Sequence, residues 1–155
     1  MTKDAGDDNR SCGGLVSGLL PELIGYELRR AQIRVFQDFA DSLAEVDLTP
    51  GHFGVLVLLC RNPGISQTAL AKAVGVERST LGEVIEKLEA RNLVKRKPAP
   101  EDRRSHAVRL SPQGERLLDQ ATPLVRDHED RIAQNLSGKE RKLLLDLLNR
   151  IAPET

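Results

Sequence analysis

Residues 65 to 111 decide the fold, and they read ISQTALAKAVGVERSTLGEVIEKLEARNLVKRKPAPEDRRSHAVRLS. Ser66 is suited to begin a helix, because its hydroxyl oxygen can accept a hydrogen bond from a free N–H group of the first turn. Gly75 is suited to end that helix, because glycine adopts the left-handed conformation that follows many helices. A second helix is indicated by apolar residues at helical spacing: Leu81, Val84, Ile85 and Leu88. The pattern predicts a helix-turn-helix.

The other face of the second helix is polar and short-chained where the helix begins. This face carries Arg78, Ser79, Gly82, Glu83 and Glu86, and Thr80 lies beside it. Short hydroxyls and one arginine at this end favour entry into a DNA major groove, where bulkier side chains would hold the helix away. Glu83 repels phosphate, and its carboxylate either accepts a hydrogen bond from a cytosine amino group or holds a neighbouring arginine.

Two strands and a basic loop follow, and together they predict a wing. Leu93 to Lys97 and the alternating Ala107 to Leu110 are the strands, and a turn-rich segment with the pair Arg103–Arg104 joins them. Residues 65 to 111 contain ten Lys/Arg and six Asp/Glu, a net charge of +4, whereas the whole chain has 23 of each. Positive charge is therefore concentrated on this unit, as expected of a nucleic-acid contact.

The order of three short motifs resembles the winged helix-turn-helix of the MarR family of bacterial transcription regulators. The motifs are L-E-x-R-x-L-V at residues 88–94, Asp102-Arg103-Arg104, and Leu110-Ser111-Pro112-Gln113-Gly114. The chain departs from the family pattern at Asn92, where glycine is usual. It also departs at Glu83, so the base contacts of the family cannot be copied onto that residue.

The resemblance implies a mainly α protein with a small β-wing and a twofold dimer. The expected order is two helices, a short strand, two helices, the two wing strands and two final helices. The expected function is a ligand-responsive regulator, a repressor, that leaves a pseudo-palindromic DNA operator when its ligand binds. Arg104, held by Asp102, is expected in a flanking minor groove, and Lys95 and Lys97 at phosphates. The expected DNA-binding residues are Ser66, Thr68, Arg78, Ser79, Thr80, Glu83, Lys95, Lys97, Asp102, Arg103 and Arg104.

The rest of the chain divides around this unit. Residues 1–18 are polar and glycine-rich and are predicted to be a flexible tail. Residues 19–46, with a long helix from Leu19 to Glu45, and residues 112–152 are predicted to be the helical dimerisation region, because the leucines near the end of the chain are too many for a solvent-facing helix. Residues 48–111 are the predicted DNA-binding region.

The effector site is predicted from polar side chains in apolar company. Tyr26, Arg29 and His52 stand out, and Arg29 is a cation placed to pair with a carboxylate or phosphate. The run from Gly25 to Gln32 also resembles the first helix of MarR-type regulators of hydroxycinnamate degradation, which implies a small aromatic acid or its CoA thioester as the effector. The alternative is that the arginines form only surface or dimer salt bridges. The full set of predicted ligand contacts is Tyr26, Arg29, Arg30, Arg34, His52 and Phe53.

Composition and motifs argue against other classes. The 155 residues are 39% hydrophobic and 30% charged, as in an ordinary globular domain. No phosphate loop, nucleophile motif or metal-binding spacing occurs, so no enzyme, cofactor or metal is expected. The longest apolar run is too short for a membrane span, and a cytoplasmic protein is expected. His128 is expected to be a partnered interface histidine. Two alternative functions remain: a redox sensor that uses Cys12, and a winged helix that contacts only protein. Cys60 is expected in the core.

Overall fold

The computed structural model describes residues 11–12, 15–16, 18–98 and 106–152. Six helices and five short strands are present in these ranges, in the predicted order for the part that begins with the first helix. The helices are α1 (Ile24–Ser42), α2 (Pro50–Arg61), α3 (Gln67–Val74), α4 (Arg78–Ala90), α5 (Pro112–Ile132) and α6 (Gly138–Ile151). The strands are β1 (Ser11–Cys12), β2 (Leu15–Val16), β3 (Ile65–Ser66), β4 (Val94–Pro98) and β5 (His106–Leu110). The chain forms two compact units, which meet between Gln37 and Asp38.

The first unit contains an antiparallel strand pair and most of α1. β1 and β2 pair with Ser11 opposite Val16, within the segment that was predicted to be a flexible tail. The predicted helix start at Leu19 is wrong: a 3-10 turn at Leu20–Glu22 comes first, and α1 begins at Ile24. Pro21 has no N–H to continue a helix, and Leu23 is extended, with φ −90° and ψ 116°. These two residues separate the turn from the helix.

The second unit contains the core, which α2, α3, α4 and a three-stranded antiparallel sheet enclose. The sheet has the order β3-β5-β4, with Ile65 opposite Val108 and Val94 opposite Leu110. The fully buried side chains include Leu56, Leu59, Leu70, Leu81, Ile85, Leu88 and Val108. The apolar spacing of the second helix therefore predicted the buried face of α4 correctly. The mainly helical winged fold is confirmed.

The connection from the wing to α5 explains the motif at residues 110–114. The hydroxyl oxygen of Ser111 accepts a hydrogen bond from the amide of Gly114 at 3.0 Å and so caps α5. A Cβ at Gly114 would lie 2.1 Å from the carbonyl oxygen of Leu93, so only glycine fits there. Asn92 has a φ of 57°, a left-handed conformation that asparagine tolerates better than most residues. The departure from glycine at this position is therefore compatible with the fold.

The ends of α1 and α5 and the start of α6 are well defined in the structure. α1 ends at Ser42 rather than at Glu45, and a turn with Asp47 at φ 47° follows. α5 passes through Pro123 and ends at Ile132. Residues 137 to 140 have the S-x-x-E sequence pattern of a capping box, and α6 begins with that box. The Ser137 amide donates to Glu140 at 2.8 Å, and the Glu140 amide donates to Ser137 at 3.4 Å.

Candidate functional site

The first helix of the helix-turn-helix is capped as predicted. The Ser66 hydroxyl oxygen accepts a hydrogen bond from the Ala69 amide at 3.2 Å, and Gly75 ends α3 with a φ of 74°. The O–H hydrogen of Ser66 remains a donor that can point away from the helix. Thr68 is exposed on the first turn of α3. Both predicted contacts therefore lie at the exposed start of this helix.

The start of α4 presents the polar face that the sequence predicted. Arg78, Ser79, Thr80 and Glu83 are exposed, whereas Leu81 is fully buried. One position differs from the prediction, because Gly82 is half-buried rather than solvent-facing. A Cβ there would lie 3.4 Å from the side-chain nitrogen of Gln67, a buried polar residue of α3. An added Cβ would therefore be in ordinary van der Waals contact with Gln67 and would fit there.

β4 divides its basic side chains between its two faces. Lys95 and Lys97 are exposed and Arg96 is half-buried, because successive side chains of a strand point in opposite directions. Arg96 lies 3.0 Å from Glu89 and 3.7 Å from Glu86, both of α4. Arg96 was not among the predicted site residues. It neutralises the carboxylates of Glu86 and Glu89 in the C-terminal half of α4. Asp102, Arg103 and Arg104 lie outside the described residues.

Arg91, the arginine of the L-E-x-R-x-L-V motif, fastens the end of α4 to the connection between α1 and α2. Its guanidinium donates hydrogen bonds to the carbonyl oxygens of Asp47 at 2.6 Å and Val46 at 2.9 Å. No pattern in the sequence indicates this contact, since the partners are backbone atoms far away in the chain. The bond pair fixes the end of α4 to residues 46 and 47 within the second unit.

Four of the predicted effector residues lie on the part of α1 that belongs to the first unit. Arg30 pairs with Glu27 at 2.9 Å, and its guanidinium carbon lies 5.7 Å from the centre of the Tyr26 ring. Arg29 is exposed and lines a surface cavity of about 360 Å³. The other lining residues of this cavity are Gln32, Ile33, Phe36 and Gln37. Arg34 is exposed farther along the helix. Arg29 is thus the predicted cation that borders a partly apolar cavity.

His52, in the second unit, has a buried ring nitrogen. Its Nδ1 atom has no hydrogen-bond partner among the residues that the structure describes. Burial lowers the pKa of His52, and the nearby positive charges of Arg91 and Lys87 lower it further. The side chain is therefore held neutral, with one nitrogen free to bond with an added group.

Phe53 borders a second cavity, between α2 and α5. The cavity has a volume of about 410 Å³, and its apolar walls include Val57, Leu118 and Val125. The ring of Phe53 also meets Phe39 edge-on, with 6.4 Å between the ring centres. Cys60 lies on the wall of this cavity and is an exposed free thiol, so its predicted place in the core is wrong. The side chain of Cys12 lies outside the described residues.

A polar cluster that the sequence did not reveal joins the end of α1 to α5. His128 is 1% exposed, and its Nδ1 lies 2.6 Å from the Asp38 carboxylate, which also binds Arg131 at 3.0 Å. Arg131 further contacts the hydroxyl of Ser42. The hydrogen bonds from Arg131 and then His128 lower the pKa of Asp38 to about 2. The predicted partner of His128 is thus confirmed and lies within the same chain, whereas its predicted place at an interface stays a prediction.

Comparisons with known proteins identify the family. A model of the MarR family matches residues 46–105. The putative transcriptional regulatory protein for the hcr operon of Thauera aromatica is 35% identical over 92% of this chain and 87% of its own length. The chain belongs to the MarR family. The six helices and the three-stranded sheet are therefore the winged-helix MarR fold, and the chain is a ligand-responsive, DNA-binding transcription regulator.

Two solved structures of a MarR-type repressor resemble this chain closely. The transcriptional repressor CouR bound to a 23-mer DNA duplex has a TM-score of 0.85 and 45% identity, and the match covers 89% of this chain and 98% of that one. CouR bound to p-coumaroyl-CoA has a TM-score of 0.82 and 42% identity, with 89% and 97% coverage. In the described part of this MarR protein, no helix is both long and apolar enough to cross a membrane. No group of three His, Cys, Asp or Glu among those residues is arranged to hold a metal ion.

Proposed function

We propose that this MarR protein is a dimeric repressor that leaves its operator when a small aromatic acid or its CoA thioester binds. The observation that carries the DNA-binding part is the exposed, short-chained start of α4 beside the exposed lysines of β4. The role is non-enzymatic, and binding to the bacterial chromosome places it in the cytoplasm. The 42% identity with CouR, which was solved with p-coumaroyl-CoA, supports the choice of effector class.

The proposed DNA contacts fall into two groups. The first group positions α4 in the major groove and contacts the base edges there; it consists of Thr68, Arg78, Ser79 and Thr80. Ser66 contacts the DNA backbone. Lys95 and Lys97, on the outward face of β4, neutralise phosphates. In the wing, Arg104, with Asp102 and Arg103 beside it, enters the flanking minor groove. Two copies of α4 in a twofold dimer would then meet half-sites about 34 Å apart, one helical turn of DNA.

Substitutions in the two groups should be distinguishable by their salt dependence. Lys97→Ala should weaken binding to all duplexes and lower the slope of log affinity against log salt by about 1, because one phosphate contact is lost. Arg104→Ala should cost about 1–3 kcal/mol, mostly at A·T-rich flanks. Lys139, which is exposed at the start of α6, is the matched control for Lys97. If the protein bound no duplex sequence more tightly than random DNA, the proposed repressor function would be contradicted.

Dimerisation is proposed for residues 19–46 and 112–152, with residues 48–111 as the DNA-binding region. α6 has no buried residue, and its exposed apolar side chains are Leu143, Leu144, Leu145, Leu147 and Ile151. In the first unit, Leu19, Leu23, Ile24 and Ile33 are also exposed. Apolar side chains at this density need cover, and a second copy of the chain provides it symmetrically.

The effector is proposed to bind through Arg29, whose guanidinium can hold a carboxylate or a phosphate beside the apolar side chains of Ile33 and Phe36. Tyr26, Arg30 and Arg34 are proposed to contact the same class of ligand from the first unit. Arg30 would have to leave Glu27 to do so. In the second unit, His52 offers a free ring nitrogen and Phe53 an aromatic wall.

The test is a titration of the protein–operator complex, followed by fluorescence anisotropy, with hydroxycinnamates, benzoates and their CoA thioesters. We expect release by at least one aromatic compound. Arg29→Ala should raise the concentration needed about tenfold, a loss of roughly 1.4 kcal/mol, with operator affinity unchanged. Arg150→Ala, an exposed arginine in the last turn of α6, is the matched control.

The arginine variants also separate the two forms of the effector. If Arg30 and Arg34 meet CoA phosphates, their replacement by alanine should weaken the response to the thioester and leave the response to the free acid intact. Release by none of the compounds, or a full response from Arg29→Ala, would contradict the proposed effector contacts.

A further inference from the structure

The carboxylates of α4 have different surroundings. Glu86 and Glu89, in the C-terminal half, both lie near Arg96 of β4, at 3.7 and 3.0 Å. Glu83 is exposed and makes no hydrogen bond or ion pair with any residue in the described part of the chain. The sequence left two roles open for Glu83, and no arginine among the described residues holds it. Its carboxylate is therefore open to a hydrogen-bond donor of a binding partner.

The position of Glu83 decides what that partner can touch. It lies four residues after Ser79, on the same face of α4, because residues four apart in a helix are neighbours. Between them, Leu81 is buried and Gly82 has no side chain. Glu83 is therefore the first long side chain after Arg78 on the surface that is proposed to enter the major groove.

The chemistry of an ionised carboxylate restricts the partner further, since it accepts hydrogen bonds and donates none. Phosphate oxygens repel it. In the major groove, guanine presents two acceptors, and thymine presents one acceptor and a methyl group. Adenine has an amino donor, but its N7 acceptor lies beside that donor. Cytosine presents an amino donor without an acceptor of its own at that edge, and it suits a single carboxylate best.

We propose that Glu83 accepts a hydrogen bond from the N4 amino group of one cytosine in each operator half-site and thereby selects that base. This inference rests on the proposed insertion of α4 into the major groove. Selection works partly by rejection, because guanine and thymine offer the carboxylate only acceptors or a methyl group, and adenine places its N7 acceptor beside its amino donor. Glu83 is thus a specificity-determining residue that weakens binding to unmatched DNA.

The experiment measures base preference at every operator position for wild type, Glu83→Ala and Glu83→Gln, by competition among duplexes randomised around the wild-type operator. Wild type should prefer cytosine about tenfold at one position per half-site. Glu83→Ala should lose that preference and bind random DNA several-fold more tightly. Glu83→Gln should change the preference to adenine, which glutamine can bind through N6 and N7. Glu77→Gln, the same charge change before α4, should keep the cytosine preference.

A base analogue tests the hydrogen bond itself. Replacing the selected cytosine with 2-pyrimidinone, which lacks the amino group, should weaken wild type about tenfold and leave Glu83→Ala unaffected. Base preferences of Glu83→Ala and Glu83→Gln that match wild type at every position would overturn the inference while specific DNA binding stands. Wild type with no preference at any position would instead refute the proposed DNA contacts.

Discussion

The winged helix-turn-helix and α6 use apolar side chains in opposite ways. The winged helix-turn-helix fully buries its apolar side chains within one chain, among them Leu70, Leu81, Ile85 and Leu88. In α6, Leu143 is 55% and Leu145 57% exposed, and no residue of the helix is buried. A region that buries its own apolar surface can fold without a partner, whereas one that exposes it needs a second chain. The comparison predicts that substitutions in the winged helix-turn-helix change the free energy of unfolding, whereas substitutions in α6 change dimer association.

The largest effect is expected from Ile85→Ala in the self-contained region. Ile85 is fully buried in the core, so its truncation leaves a cavity and should cost about 2–5 kcal/mol of the free energy of unfolding. Urea unfolding at fixed protein concentration measures the loss. Val76→Ala, at an exposed apolar position of the same region, is the control. A loss below about 1 kcal/mol for Ile85→Ala would contradict the assigned core.

The next effect is expected from Leu143→Asp in α6, and it concerns association rather than folding. If this helix lies in the dimer interface, two charges enter an apolar contact, and the dimer dissociation constant should rise about a hundredfold or more. Analytical ultracentrifugation over a range of concentrations measures it. Lys142→Asp, next to it and also exposed, changes charge without removing apolar surface. An unchanged dissociation constant for Leu143→Asp would remove α6 from the interface.

The sequence predicted contacts between neighbouring residues more accurately than contacts between different elements of the fold. Local contacts were predictable: the Ser66 cap, the left-handed Gly75 and the capping box at Ser137 each depend on residues within one helical turn. The start of α1 was also a local matter, but the apolar spacing outweighed Pro21 in the prediction. The apolar period predicts which face is buried, and a proline decides where the helix begins.

Contacts between side chains of different elements were not predictable from the sequence. His128 pairs with Asp38 across 90 residues, and Arg96 of β4 pairs with Glu89 of α4 across seven, in a chain that has 23 acidic and 23 basic residues. Charge type alone does not choose among so many pairs. The packing of the last residues of α1, Asp38 to Ser42, against α5 and the packing of α4 against β4 bring these side chains together. Within the described residues, the unpaired carboxylate of Glu83 can be recognised for the same reason only after its neighbours have been paired.

A smaller effect is expected from Asp38→Asn, at the polar link between α1 and α5. The pKa of Asp38 is lowered from 3.8 to about 2, chiefly by Arg131 and then by His128. A folded-state pKa below the unfolded value stabilises the protein above pH ~4, and this contribution is lost as the pH falls toward 2. The variant should lose about 1 kcal/mol at neutral pH, a value reduced because the side chain is 35% exposed and water screens the pair.

The pH dependence provides the check on Asp38. Urea unfolding at pH 7 and at pH 3 should show a smaller difference between the variant and wild type at the lower pH. Asp127→Asn, an exposed residue of α5, should show no difference at either pH. An equal loss at both pH values would mean that Asp38 acts by accepting hydrogen bonds that asparagine cannot accept, and not through its charge.

The smallest effect is expected at His52, the unsatisfied polar group within the otherwise self-contained region. Burial, Arg91 and Lys87 lower its pKa from 6.5. The unfolded chain therefore takes up a proton more readily, and wild-type stability should fall as the pH drops from about 7.5 to 5.5. His52→Gln, which stays neutral, should lose less stability than wild type over that range. Equal loss in both proteins would show that His52 is protonated as easily in the folded state as in the unfolded chain, and its buried Nδ1 would then not be the free acceptor proposed for the effector.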